Sequence, residues 1–185
     1  EVTMASLEKA ETLEEKRAAL IIKYRKLNVD STEREDDQIV HQLSRGDEKY
    51  IMHILLGQST IGIAYVRELR DKIQEKEVTG GIIIGDGKYT YSARSNAPEM
   101  NIELIPATLP TFDIFEHQLV PLHEVTSPEE RKELSKKYHA EPYQFPWIKS
   151  VDPISIILGA KPGDVLRITQ KSETAGKYET YRYVV

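Results

Sequence analysis

Apolar positions between residues 13 and 27 recur at helical intervals: Leu13, Leu20, Ile21, Tyr24 and Leu27, with Arg17 on the same stripe, predict one amphipathic helix. A polar run through Asp37 then leads to Ile39, Val40 and Leu43, whose spacing predicts a second short helix closed by Gly46. Residues 50–56 are nearly all apolar and end at Gly57, the pattern of a buried strand. Ile63, Val66, Leu69 and Ile73, with Arg70 among them, mark the next helix, for which Ser59 or Thr60 is the expected cap. The glycine-bounded apolar run 81–85 is a second buried strand. Residues 50–85 therefore predict a βαβ crossover with parallel strands. A turn at Asp86 and Gly87, a polar piece over 89–98 and a third strand over 100–105 complete a small α/β unit.

Pro106 and Pro110 then interrupt regular structure, since proline lacks a backbone donor. They mark the expected boundary between a domain at 1–110 and another at 111–185. In the second, Ser127, Pro128, Glu129 and Glu130 supply a cap, an N1 proline and an acidic first turn for a helix reaching about Tyr138. Asp152 and Pro153 open a short helix that ends at Gly159. A turn over 161–164 precedes a strand at 165–168, and the alternation over 178–185 predicts its hairpin partner. The fold class expected is α+β: an N-terminal α/β unit with a βαβ crossover, then a small mixed β-sheet with short helices.

Composition narrows the chemistry. The 185 residues are 39% apolar, enough for two small cores. No cysteine is present, which excludes a disulfide, a thiol nucleophile and a thiolate zinc site. The net charge of -5 argues against a dedicated nucleic-acid binder, which carries a basic surplus to displace counterions. There is no run of about 18 apolar residues, and residues 1–20 are too charged for a secretory signal, so a soluble chain of the nucleus or cytosol is expected, with no membrane partner.

Ordered landmarks fill residues 114–185. Glu116, His117, Leu119, Val120, Pro121 and His123 precede the helix. Gln144, Pro146, Ile148, Asp152, Pro153, Gly159, Lys161, Gly163 and Val165 follow it. The run from Ser172 through Glu173, Thr174, Ala175, Gly176, Lys177 and Tyr178 to Thr180, Tyr181 and Arg182 closes the set. In order and spacing this resembles the assembly domain of the fifth shared subunit of eukaryotic nuclear DNA-directed RNA polymerases I, II and III, a domain with a counterpart among the small subunits of archaeal RNA polymerase. In outline, the first unit is similar to the family's eukaryote-specific jaw domain. Its matching parts are the crossover helix over 61–76, the strand 81–85 and then Thr90, Tyr91, Ser92 and Ala93. The chain departs from the family where Trp147 replaces a usual arginine, Gln170 and Lys171 replace an Arg-Pro pair, and Tyr91 replaces a proline. A divergent paralogue restricted to one polymerase class would account for this.

The resemblance implies a non-catalytic structural subunit within a hetero-oligomeric complex, with no cofactor or metal of its own. The two-magnesium chemistry would belong to the large subunits. It implies docking on the largest polymerase subunit, near the small omega-like shared subunit. The interface expected comprises Glu116, His117, Pro121, Pro146, Asp152, Pro153, Gly159, Gly163, Ser172, Glu173, Thr174, Gly176, Lys177, Tyr178, Tyr181 and Arg182. By similarity, the loop 88–94 faces downstream duplex DNA. There Lys88 and Arg94 would neutralise phosphates and Ser92 would donate a hydrogen bond, a weak contact without sequence readout. The implied address is the nucleus, or the nucleolus for a subunit confined to polymerase I.

Other readings compete. His117 and His123 are a metal pair or, more simply, hydrogen-bonded packing residues, because no third ligand stands near them. Tyr138, Tyr143, Phe145 and Trp147 stack on bases or pack at a core or interface. Asp86 and Lys88 look like half of a restriction-type carboxylate-x-lysine site for magnesium, with Glu99 or Glu103 as the missing acid, although Asp-Gly is first a turn signal. Gly85 and Gly87 lack the third glycine and following helix of a phosphate loop. A free-standing interaction adaptor is the remaining alternative from another class.

Overall fold

The computed structural model describes residues 12–172 and 176–185, which fall into two units, Glu1–Phe112 and Asp113–Val185. The first begins with helix α1, Leu13–Tyr24, opened by a capping box in which Thr12 accepts from the Glu15 amide and Glu15 accepts from the Thr12 amide. Strands β1 (Asn28–Arg34), β2 (Gln38–Arg45) and β3 (Glu48–Leu55) form an antiparallel meander. A two-residue strand β4 (Thr60–Ile61) precedes helix α2 (Ile63–Glu75). Beyond it lie β5 (Gly80–Gly85), a two-residue β6 (Lys88–Tyr89), the short helix α3 (Tyr91–Asn96) and β7 (Ile102–Ile105). The five-stranded sheet runs β1-β2-β3-β5-β7, with β5 parallel to both neighbours.

The expected βαβ crossover is present: β3, α2 and β5 form it, with Ile51 opposite Gly81 and Leu55 opposite Gly85. Alternate residues of these strands serve two cores. Ile51, Leu55 and Ile83 pack with Val66, Leu69 and Ile73 of α2, while α1 also packs on β3 and β5. All six residues of β5 are buried. Its glycines answer that crowding: a Cβ at Gly81 would stand 2.7 Å from a methyl of Leu69 and 2.9 Å from one of Ile73.

Several local expectations are corrected. Residues 39–43 are strand rather than helix. Ile39, Val40 and Leu43 fit a helical stripe, but β2 is hydrogen-bonded on both edges, and that pairing overrides local spacing. Gly46, at φ 61°, turns the β2–β3 hairpin instead of ending a helix. Helix α2 starts at Ile63 after Gly62 and has no side-chain cap. Thr60 and Ile61 instead pair in parallel with Lys88 and Tyr89. The polar piece 89–98 contains α3, capped by Thr90, and the third strand starts at Ile102 after left-handed Asn101.

The second unit is a four-stranded sheet in the order β8-β10-β11-β9, from β8 (Leu122–Val125), β9 (Trp147–Ile148), β10 (Val165–Ser172) and β11 (Gly176–Val184). The hairpin β10–β11 is antiparallel as expected, β8 is antiparallel to β10, and β9 runs parallel to β11, so the sheet is mixed. Helix α4 (Pro128–Tyr138) has the Ser127 cap and N1 proline foreseen. Helix α5 (Pro153–Leu158) runs from its Asp152 cap to left-handed Gly159. One sheet face packs Val165, Tyr181 and Tyr183 against Leu134 of α4 and Phe145. The other packs Leu166, Val184 and Ile148 against Ile154 and Leu158 of α5. Among the described residues, no helix is long and apolar enough to cross a membrane.

Three histidines, His41, His53 and His123, are each held below the ordinary value of 6.5 mainly by burial. His53 is the most enclosed. Its Nε2 donates to Gln38, while its buried Nδ1 has no partner among the described residues, so a second proton would find no acceptor among them. The unfolded chain takes up those protons near 6.5 and the folded chain only at lower pH. Stability is therefore full above that value and is lost as pH falls below it. The urea midpoint should drop between about pH 7.5 and about pH 5.5, and His53→Gln should flatten the slope for the first unit. An unchanged slope in the variant would exclude His53 as its source.

Candidate interaction surfaces

The loop after β5 is built from below. Tyr89 points its hydroxyl into the unit and donates to the carbonyls of Ile83 (3.1 Å) and Ile105 (2.8 Å); burial pushes its ionisation well above the ordinary value. The Thr90 side chain accepts from the Ala93 amide, and α3 follows. Lys88, Ser92 and Arg94 are therefore all exposed on one short anchored segment, with Tyr91, 83% exposed, between them. The surface offers two cations, a hydroxyl and an aromatic ring on a rigid base. That arrangement suits a phosphate backbone better than a small ligand.

Arg17 holds the start of this segment and the end of the unit together. Although only 4% exposed, it donates from Nε to the carbonyl of Leu109 (2.9 Å), from one terminal nitrogen to that of Ala107 (2.6 Å), and from the other to the Asp86 carboxylate (3.0 Å). Its place on the apolar stripe of α1 was the sequence sign of a buried partner, but no pattern identified carbonyls some ninety positions away.

In the second unit a cleft of about 630 Å³ is lined by Pro121, His123, Trp147, Ile148, Lys149, Val151, Asp152, Ile168, Gln170 and Arg182. Three residues expected at the interface, Pro121, Asp152 and Arg182, meet there. His123 Nδ1 donates to the Pro121 carbonyl (2.8 Å), which leaves Nε2 as an acceptor. Asp152 spends one carboxylate oxygen on the Ile154 amide (2.9 Å) as the cap of α5. The indole of Trp147 donates to the Tyr143 carbonyl (3.1 Å), and the residue is 67% exposed. Trp147 and Gln170, two positions of family departure, both line this cleft; nothing in their sequence spacing brought them together.

The other expected residues are spread over the unit. Glu116 ends a 3-10 helix, and His117 Nδ1 accepts from the Leu119 amide. The Pro146 carbonyl accepts from Tyr183, and Pro153 is the first residue of α5. Gly159 and Gly163 are turn positions with φ of 71° and 98°, and the Gly163 carbonyl accepts from Arg131. Ser172 and Gly176 face each other across the end of the hairpin, next to exposed Lys177. Tyr178 is exposed and donates to Gln170. Tyr181 is buried against Tyr138 and Phe145, with ring centroids 5.9 and 6.0 Å away. Glu173 and Thr174 lie outside the described residues. Of the four aromatics singled out, Tyr138 and Phe145 pack in this cluster, while Tyr143 and Trp147 face solvent.

A family model described as RNA polymerase Rpb5, C-terminal domain, matches residues 112–184. The chain is 56% identical over 79 residues to the DNA-directed RNA polymerase subunit Rpo5 of Thermococcus celer, across 43% of this chain and 96% of that relative. It belongs to the Rpb5 family of RNA polymerase subunits. A 36% identity over 129 residues links it to the DNA-directed RNA polymerases I, II, and III subunit RPABC1 of Caenorhabditis elegans, across 68% of this chain and 61% of the relative. A second family model, described as restriction endonuclease, matches residues 15–108, so the first unit of this Rpb5 chain also belongs with that family.

The acids singled out in the first unit are engaged by arginines. Asp86 is paired with Arg17, and Glu103 is gripped at both oxygens by Arg25 at 2.7 Å. Among the described residues, no group of three or more His, Asp or Glu is placed to hold an ion.

Arg17→Met should destabilise the first unit by about 3 kcal/mol, because it leaves two carbonyls and a carboxylate without their donor. Asp86→Ala should cost under about 1 kcal/mol, because that carboxylate is half exposed. Urea unfolding of the full chain measures both, and equal losses would contradict the anchoring role of the two carbonyls.

Proposed function

We propose that this Rpb5-family chain is a non-catalytic structural subunit of a multisubunit DNA-directed RNA polymerase. In this reading residues 111–185 are an assembly domain that docks on the largest subunit, beside the small omega-like subunit, and residues 1–110 are a jaw-like domain near downstream DNA. The supporting observation is the identity to the archaeal polymerase subunit over nearly that relative's whole length, a stretch the size of the second unit. The exposed features there favour assembly over chemistry: a cleft with an apolar wall, turn glycines and a hairpin with polar flanks. In a nucleated cell the address is the nucleus, or the nucleolus if the chain serves polymerase I alone.

The jaw would touch DNA through Lys88, Ser92 and Arg94. With a net charge of -5 the chain would add a local and weak contact, positioning duplex without reading it.

Purification of the tagged chain from its source cell at moderately high salt should bring down a largest polymerase subunit in stoichiometric amount, read by mass spectrometry. Recovery of one such subunit assigns a class-specific paralogue, and recovery of several assigns a shared subunit. Absence of any large polymerase subunit would leave a free-standing adaptor in place of this reading. In the assembled polymerase, Lys88→Glu with Arg94→Glu should reduce processivity and make elongation more salt-sensitive, and no change in either would remove DNA from the partners.

A further inference from the structure

The cleft of the second unit has a definite chemical complement. Helix α5 covers only part of its sheet face, over Leu166 and Val184. The face continues past the helix as Ile168, Gln170 and Arg182, which line the cleft with Trp147, Lys149 and Val151 on its other sides. Two cations therefore face the same space, and among the described residues neither Arg182 nor Lys149 has an ion-pair partner. The carboxylate that lines the cleft, Asp152, is engaged by the cap of α5. Gln170 accepts from Tyr178 through its carbonyl oxygen, so its amide hydrogens remain as donors. Trp147 and Val151, 67% and 72% exposed, supply an apolar wall beside these donors.

An anion beside an apolar group complements the two cations, the Gln170 amide and the apolar wall. A nucleic-acid backbone satisfies less of it, because the apolar wall of Trp147 and Val151 would lie against phosphate. A volume of about 630 Å³ holds a few side chains of an extended peptide. We propose that the cleft takes a short extended segment of the polymerase's largest subunit in which an Asp or Glu adjoins an apolar side chain. The carboxylate lies on Arg182 and Lys149, and the apolar side chain lies against Trp147 and Val151. This rests on the polymerase reading above and adds to it the anchor chemistry of the partner.

Trp147 is the chain's single tryptophan, so its emission reports occupancy of the cleft directly. The experiment titrates the full chain with overlapping peptides tiling the largest polymerase subunit of the same cell. Peptides with an acidic residue beside an apolar one should shift Trp147 emission to the blue, saturably. Arg182→Glu should weaken that binding by about tenfold or more, and Lys149→Glu, at a separate exposed position, should weaken it in the same direction. Replacing the peptide's acid by arginine should restore binding to the Arg182→Glu chain. The proposal is overturned if no tiled peptide shifts the emission, if both variants bind as the unaltered chain does, or if duplex DNA shifts it while acidic peptides do not. Co-purification of the unaltered chain separates the two claims. Recovery of the polymerase without peptide binding removes the cleft assignment alone, and loss of the polymerase removes the subunit reading itself.

Discussion

Strand β5 is buried along its whole length, and the first unit is arranged around that constraint. A strand enclosed on both faces and paired in parallel on both edges needs a crossover on each side and apolar cover above and below. Helices α1 and α2 supply the cover, and β3 and β7 supply the edges. Close packing explains the glycines that bracket three isoleucines: any side chain at Gly81 or Gly85 would enter the space of Leu69 and Ile73 or of Ile61. The same geometry delivers the chain at the carboxyl end of β5 into the segment 86–94. Arg17 and Tyr89 tie that segment to the body, so its exposed cations stand on a firm base.

The second unit solves a smaller problem with one hairpin. Its β10 and β11 are long enough for both faces to carry apolar residues, and each face receives one helix. Charges secure the α4 side, where Arg167 reaches Glu124 and Glu130, each at 2.9 Å, and Arg131 reaches Asp164. Because α5 has only six residues, it leaves the far part of its sheet face uncovered, and the cleft is that remainder.

The two family matches show why function has to be argued from the site and not from the frame. A restriction-type family model matches the first unit, yet Asp86 and Glu103 are held by Arg17 and Arg25, and the loop after β5 exposes Lys88 and Arg94. The second unit matches the Rpb5 domain over residues 112–184 and presents turns, a hairpin and a cleft with an apolar wall.

Local signals were sufficient where the physics is local. The Ser127 cap with Pro128, the Asp152 cap with Gly159, the β10–β11 alternation and the glycine-bounded strand after α2 could all be read from neighbouring residues, because caps, turns and period-two burial act within a few positions. The ordered landmarks after residue 114 were also enough to indicate the family. Tertiary structure alone decided that residues 38–45 form a strand, because a stripe of Ile39, Val40 and Leu43 suits either period until pairing on both edges selects one. It also decided the job of Arg17 and the meeting of Trp147, Lys149, Gln170 and Arg182, contacts that depend on sheet register and helix length. Spacing along the chain carries periodicity, whereas a binding surface is made by distances across it.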